Sequence, residues 1–170
     1  MTKDELKRHL FAERTNVFAI LDGASIADLP MRLYEANPPY YCLFRGELEP
    51  DVASAAPYLV GLIDGTPFTE WLLDGNIGKH WGIFAQSLRS ITEMRKHFRA
   101  LITVHDEMGK PMIFRFYDPR VLQTFLPTCN PGELKTFFGS VDRFIAETGT
   151  NGGISSFSIE NNNLKHGELS

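Results

Sequence analysis

The chain has 170 residues, of which 43% are hydrophobic, 12% aromatic and 22% charged, and its formal net charge is −4. This length and composition are those of one globular domain and exclude collagen, a coiled coil, wholesale disorder and a disulfide-stapled miniprotein. The acidic balance argues against nucleic-acid binding, which needs a basic face. No apolar run approaches the ~20 residues that span a bilayer, so membrane insertion is not expected.

Six helix starts are marked by capping residues and prolines. The capping boxes Thr2-x-x-Glu5, Ser90-x-x-Glu93 and Asn130-x-x-Glu133 each precede an amphipathic pattern. Ser25-x-x-Asp28 is a weaker variant, because it carries aspartate in place of glutamate. In chain order, the predicted helices start at Thr2, Ser25, Thr66-Pro67, Ser90, Asp118-Pro119 and Asn130-Pro131.

Between these helices lie short apolar runs rich in β-branched and aromatic residues, which are typical of strands. They cover residues 17–21, 40–44, 58–62, 81–84, 101–104, 112–117 and 144–146. Because most runs are continuous and alternate with helices, we predict a single α/β domain with a mixed β-sheet flanked by helices. A polar connection containing Gly109 and Pro111 predicts an antiparallel hairpin near 101–117.

The composition changes after the predicted α/β domain, which covers residues 1–147. Residues 148–170 are rich in glycine, asparagine and serine, which predicts a flexible tail. Within it, the alternation of polar and apolar residues over 155–160 favours an edge strand.

The cysteines and histidines do not form a recognisable site. Cys42 and Cys129 are far apart and are predicted to be reduced and structural, and the five histidines include no HxxxH pair. We therefore expect no metal and no cofactor. The N-terminal residues 1–8 mix both signs of charge without an apolar core, so no secretory signal is predicted there. These features predict a cytoplasmic protein.

Common catalytic motifs are not found. The sequence contains no GxGxxG or GxSxG, and residues 75–80 lack the P-loop spacing, so we interpret them as a turn after a helix. Asp22 follows an apolar strand and precedes Gly23. That position often carries function in open α/β sheets, but it equally suits an Asx-type turn.

The densest polar cluster is the segment from Phe114 to Arg120. If residues 114–117 form a strand, Arg115 and Tyr117 point to the side opposite Phe116. Arg115 and Arg120 flank the carboxylate of Asp118, so a charge-assisted pair is expected. It suits three roles: clamping an anion, binding a partner, or holding a strand–helix corner rigid with Asp118 as N-cap and Arg115 as its counter-ion.

Three aromatic residues stand beside these elements. Tyr58 and Trp81 are predicted to pack in the core. Trp71 lies in a predicted helix with two leucines and can equally form an exposed apolar patch. Exposed aromatic residues commonly anchor protein interfaces.

Four segments, taken in order, resemble the motifs of one family. They are Phe18-Ala19-Ile20-Leu21-Asp22-Gly23-Ala24, Ala56-Pro57-Tyr58-Leu59-Val60, Trp81-Gly82-Ile83-Phe84, and Phe114-Arg115-Phe116-Tyr117-Asp118-Pro119-Arg120-Val121-Leu122 followed by Leu126-Pro127 and Phe137-Phe138-Gly139. From about Val17 to Ile145 the chain resembles the bacterial type VI secretion effector adaptors of the Tap or Tec type, a family known as a domain of unknown function.

The resemblance implies a non-enzymatic adaptor in the cytoplasm of a Gram-negative bacterium. Such proteins bind a secreted effector and help load it onto a VgrG-type spike protein, sometimes with a PAAR-type tip. Many members carry longer C-terminal lobes for cargo recognition, and this chain is expected to be a minimal or shortened member. The candidate partner-binding residues are Arg115, Tyr117, Asp118, Arg120 and Trp71, or an adjacent sheet edge; the oligomeric state is left open.

Two other functions compete with this one. A small hydrolase or transferase using Asp22, His80 or His105 with the Arg115/Asp118 pair requires these groups to converge in a deep polar pocket. An immunity-type inhibitor is another small acidic protein that binds a toxin.

Overall fold

The computed structural model describes residues 1–75, 77–149 and 153–170. The strands are β1 (Asn16–Asp22), β2 (Tyr40–Cys42), β3 (Pro57–Leu62), β4 (Gly82–Ser87), β5 (Thr103–His105), β6 (Pro111–Ile113), β7 (Arg143–Thr148), β8 (Gly153–Glu160) and β9 (Asn163–Leu169). The helices are α1 (Lys3–Phe11), α2 (Leu29–Ala36), α3 (Pro50–Ala55), α4 (Pro67–Gly75), α5 (Ile91–Ile102), α6 (Pro119–Phe125), which continues into a 3₁₀ turn (Leu126–Thr128), and α7 (Pro131–Phe138). Among the described residues, no helix is long and apolar enough to cross a membrane.

Seven strands form one sheet in the order β2-β3-β1-β4-β7-β8-β9. The predicted α/β domain, with its sheet flanked by helices, is confirmed. The sheet differs from the expected mixed pairing in that all pairs between the described strands are antiparallel. The reason lies in the crossover through α4. It links β3 to β4, which run the same way but lie on opposite sides of β1. β2 and β3 are joined through α3 and are nevertheless antiparallel neighbours, so the alternation of strands and helices predicts neither strand direction nor strand order.

Helices cover both faces of the sheet. On β1, Phe18 and Ile20 enter one core cluster with α5, α6 and α7, whereas Val17, Ala19 and Leu21 enter a second cluster with α1, α2 and α4. Successive side chains of a strand point to opposite faces, so both faces of β1 are buried. This double burial explains why the strand is a continuous apolar run.

Helix starts follow the predicted caps where the signal is complete. The capping boxes at Thr2, Ser90 and Asn130 are present. The weaker box at Ser25 does not form. Helix α2 begins after Asp28, which is the N-cap residue, has a left-handed backbone conformation (φ 58°) and makes no capping hydrogen bond with its side chain. The short helix α3 was not predicted.

The predicted hairpin is confirmed but is shorter and separate from the main sheet. Leu101 and Ile102 end α5, since Ile102 continues the buried stripe of Met94 and Phe98. Residues 114–117 are not a strand, and Phe116 and Tyr117 are both buried. The predicted alternation of exposed and buried side chains in this segment is therefore wrong.

Residues 153–169 form two strands where a flexible tail was expected. The predicted edge strand at 155–160 lies within β8, an inner strand whose Phe157 pairs with Phe144, and β9 is the edge. The two strands are joined at Asn161 and Asn162, which have positive φ values of 53° and 63°. That conformation suits a tight hairpin turn, so these asparagines are turn residues. Residues 150–152 of the expected linker, and Asn76 of the predicted turn, lie outside the described residues.

Candidate functional site

The fold brings the end of β1 against the start of α6, and we call residues Asp22 and 115–120 the corner. The backbone at the end of β1 is held from both sides: Asp22 N–H donates to Trp81 O at 2.8 Å, and Gly23 N–H donates to Ala56 O at 3.0 Å. A Cβ on residue 23 would lie 2.5 Å from the carbonyl oxygen of Ala56. Only glycine fits there, which gives the Asp-Gly pair of the first motif a steric cause.

The second and third motifs support this arrangement from the neighbouring strands. Pro57 and Tyr58 begin β3, and the Tyr58 hydroxyl donates to Ala53 O at 2.9 Å. Gly82 begins β4, where a Cβ would collide with the carbonyl oxygen of Ile20. Gly82 therefore permits the close approach of β4 to β1, and Tyr58 ties β3 to α3.

The carboxylate of Asp22 is buried and fully engaged. It accepts hydrogen bonds from Ala24 N–H at 3.1 Å, Ser25 Oγ at 3.0 Å and Arg115 Nη2 at 2.5 Å. The first two form the turn expected after the strand. The third is an ion pair, and the hydrogen bond to Asp22 raises the pKa of Arg115 above its ordinary value. The guanidinium of Arg115 is therefore charged at neutral pH.

Asp118 is the N-cap of α6 and pairs with Arg120. Its carboxylate accepts from the backbone N–H of Arg120 at 2.9 Å and from the guanidinium at 3.0 and 2.7 Å, a bidentate contact. Burial raises the pKa of Asp118, but the bonds from Arg120 outweigh it, so the pKa lies below its ordinary 3.8. Arg120 is thus the counter-ion that was expected to be Arg115. The exchange occurs because Arg115 reaches the carboxylate of Asp22.

The corner presents its arginines outward and keeps its carboxylates inside. The side chains of Arg115 and Arg120 are 47% and 62% exposed, whereas those of Asp22 and Asp118 are 3% and 7% exposed. Tyr117, predicted to be on the same surface, is buried because residues 115–118 form a turn closed by Asp118 N–H to Arg115 O at 3.0 Å. Only the two guanidinium groups are available to a ligand.

An open groove of about 560 Å³ adjoins Arg120. The side chains of Val121, Thr124 and Phe125 on α6 line it, together with Asp118 and Arg120. A partner at this surface would meet an apolar groove on α6 with the guanidinium of Arg120 at its start. That combination suits a protein segment that carries both apolar and acidic side chains.

Trp71 does not belong to this surface. It lies on α4, against the opposite face of the sheet, and stacks on Trp81 with a ring separation of 5.3 Å. The guanidinium of Arg32 lies 4.7 Å from its ring centre. Trp71 is half-buried. Because it lies on the other face of the sheet from Arg115 and Arg120, the residues predicted to bind a partner do not form one surface.

Among the described residues, the side chains of His80 and His105 form no hydrogen bond or ion pair with the corner. The backbone N–H groups of Gly78 and His80 donate to the buried carboxylate of Glu147, and His80 Nδ1 lies 3.1 Å from it. His105 is exposed on β5. Asp22, in contrast, pairs with Arg115. Asp22, His80 and His105, the candidate residues for a hydrolase, therefore each have different surroundings: Asp22 contacts Arg115, His80 contacts Glu147, and His105 is exposed. Within the described residues, no group of His, Cys, Asp and Glu could hold a metal ion.

Comparison with known families adds one finding. A family model described as "Domain of unknown function (DUF4123)" matches residues 17–136, which is more than half of the chain. The chain belongs to the DUF4123 family. The match begins in β1 and ends in α7, and it includes every residue of the corner. No match was found among curated proteins or among solved structures.

In this DUF4123 protein, sequence reasoning missed two residues with specific contacts. Glu147 follows three apolar residues in β7, and a lone carboxylate in a buried strand is a signal that it has buried partners. Arg32 gives no comparable signal, because its contact with Trp71 joins two helices that are distant in sequence.

Proposed function

We propose that this DUF4123 protein is a non-enzymatic adaptor that binds a type VI secretion effector and helps load it onto a VgrG-type spike protein. Three things support the proposal. The four sequence motifs resemble those of such adaptors, the chain belongs to DUF4123, and the corner has the properties of a protein-binding surface. The proposed location is the cytoplasm of a Gram-negative bacterium.

The observation that carries the proposal is the pairing at the corner. Each buried carboxylate holds one half-exposed arginine, so both guanidinium groups are oriented before a partner arrives. Preorganised side chains lose less conformational entropy on binding, and arginine is enriched at the centres of protein interfaces. The carboxylates of Asp22 and Asp118 are buried and accept these hydrogen bonds within the protein. The corner therefore offers cationic hydrogen-bond donors to acidic groups of another protein.

The surroundings of the corner suit a stable docking surface. The groove along α6 is open and carries Val121 and Phe125 beside Arg120. A specific interface covers roughly 800 Å² on each partner, so a partner seated here would extend beyond the groove. We expect the effector or the spike protein to use this surface through apolar and acidic residues.

The test uses the effector and the spike protein encoded beside the gene for this chain. We expect deletion of the gene to abolish effector secretion and the chain to copurify with both proteins. Arg120→Glu should restore secretion poorly, because it reverses the charge of the most exposed group of the corner. Lys96→Glu, an equal charge change on an exposed position of α5, is the matched control and should restore secretion fully.

Arg115→Glu and Arg120→Glu both place a second carboxylate beside a buried aspartate. Arg120→Glu is the milder of the two, because the Arg120 side chain is 62% exposed and Asp118 keeps its bond from the backbone N–H of residue 120. Thermal melting of the Arg120→Glu protein establishes that it is folded before its secretion is compared. Full secretion by the Arg120→Glu strain would remove the corner as the binding surface. Secretion that persists in the deletion strain, together with protection of cells from the toxin, would identify an immunity-type inhibitor instead.

A further inference from the structure

The hairpin formed by β5, β6 and their connection, residues 103–113, is exposed over both strands. Within the described chain, β5 and β6 pair only with each other. Four of the exposed large apolar side chains of the protein are concentrated here: Val104, Met108, Met112 and Ile113. A two-stranded hairpin alone is marginally stable in water, and clustered exposed apolar side chains mark interaction sites. We therefore expect the exposed apolar side chains of the hairpin to be covered by a binding partner.

The hairpin presents apolar side chains on both of its faces. Val104 lies opposite Met112, and Thr103 lies opposite Ile113. Partners that lie directly opposite share a face, and adjacent residues of a strand alternate, so Met112 and Ile113 point to opposite sides. Ile113 and Thr103 line a groove of about 330 Å³.

The opposite wall of this groove comes from the chain that follows β2. Leu43, Phe44 and Leu48 supply apolar side chains, and Ile102 at the end of α5 lies beside the hairpin. We call this feature the hairpin groove. Its lining is mainly apolar, and the exposed edges of the hairpin lie next to it.

The charged side chains in the groove are both arginines. Arg45 is exposed, and Arg99 donates from Nη2 to Cys42 O at 2.8 Å. The Nε of Arg99 is buried and has no hydrogen-bond partner among the described residues. No acidic side chain is among the residues lining the groove, although the chain as a whole has a net charge of −4. The groove is thus a local cationic region with an apolar lining.

We propose that the hairpin groove binds an extended segment of a partner protein that carries apolar side chains and at least one carboxylate. The apolar side chains occupy the groove beside Ile113, and the carboxylate meets Arg45 and Arg99. The open edge of the hairpin supplies backbone N–H and C=O groups to an added strand, a common mode of peptide recognition. This site uses other residues than the corner and does not rest on the proposed function.

The probes are two short labelled synthetic peptides, one of alternating valine and glutamate and one in which lysine replaces glutamate. Binding to the whole chain is followed by fluorescence anisotropy at low ionic strength. We expect the acidic peptide to bind about tenfold more tightly than the basic one, because only it complements both arginines. Arg45→Glu and Ile113→Asp should each weaken binding of the acidic peptide about fivefold or more.

The matched control is Leu88→Asp, which places the same charge at a 74% exposed apolar position outside the groove and should leave binding unchanged. Thermal melting establishes that each variant is folded, and Arg45 is exposed, so at least one variant tests the site without altering the core. The proposal is overturned by equal binding of both peptides, by no binding of either, or by unchanged binding in Arg45→Glu and Ile113→Asp. Sedimentation showing a dimer that Ile113→Asp dissociates would also overturn it and assign the groove to a second copy.

Discussion

Arg115 donates a 2.5 Å hydrogen bond to the carboxylate of Asp22, which lies 93 residues earlier in the chain. The bond ties the turn before α6 to the end of β1, an inner strand of the sheet. Asp22 is buried and Arg115 is half-exposed, so one member of the pair belongs to the core and the other to the surface. The position of the corner is therefore fixed by the same contact that orients one of its two exposed arginines.

We predict that Arg115→Ala lowers the free energy of unfolding by about 2 kcal/mol, because it leaves a buried carboxylate without its cation. Arg120→Ala should lower the free energy of unfolding less than Arg115→Ala does, because the Arg120 side chain is mostly exposed and Asp118 keeps its bond from the backbone N–H of residue 120. Urea denaturation of both variants measures the difference. Equal costs for the two substitutions would contradict the assignment of separate partners.

The parts of the fold that depend on neighbouring residues could be predicted from the sequence. Three capping boxes form as predicted, because an N-cap and the residue three positions later suffice to satisfy the first backbone N–H groups. The apolar runs at 17–21 and 58–62 became strands because their side chains are buried on both faces.

The parts that depend on distant residues could not be predicted. Residues 114–117 have strand-like composition, but Phe116 and Tyr117 are both drawn into the core and the segment forms a turn. At the corner, the sequence predicted that Arg115, Asp118 and Arg120 form ion pairs, but not that Arg115 pairs with Asp22, because these two residues are far apart in the chain. The composition of 148–170 predicted a tail, because asparagines that form a tight turn look the same as those of a linker.

We predict that Gly82→Ala destabilises the protein by about 3 kcal/mol or prevents folding, since a Cβ there collides with the carbonyl oxygen of Ile20 in the adjacent strand. Gly61→Ala is the matched control on β3. Its Cβ would lie 3.5 Å from the nearest atom, on Pro39, which is an ordinary contact, so the change should stay within about 1 kcal/mol. Thermal melts compare the two. A similar loss in both variants would show that close strand approach is not the cause.

We predict that Glu147→Gln costs about 1–3 kcal/mol, because its two oxygens accept from Gly78 and His80 and an amide can accept at only one of them. Glu160→Gln, on an exposed residue paired with Lys165, should change the stability by less than about 1 kcal/mol. Chemical denaturation measures both. No difference between them would mean that the buried carboxylate contributes nothing specific.

We predict that the protein loses stability as the pH falls below about 6.5 and that His97 supplies part of the loss. Burial lowers the pKa of His97 below its ordinary 6.5 in the folded protein, where its Nε2 lies 2.8 Å from Phe137 O. Below pH 6.5 the unfolded chain therefore binds more protons at this residue than the folded chain, which favours unfolding. Well above pH 6.5 the residue is neutral in both states and contributes no pH dependence.

The control is His97→Gln, which keeps a hydrogen-bond donor near Phe137 O but does not titrate. Free energies of unfolding measured near pH 7.5 and near pH 5.5 should fall more in the wild type than in the variant. The other four histidines are present in both proteins, so their contribution cancels in the comparison. An equal fall in the two proteins would assign the pH dependence to other groups, because His97 would then bind protons equally in the folded and unfolded states.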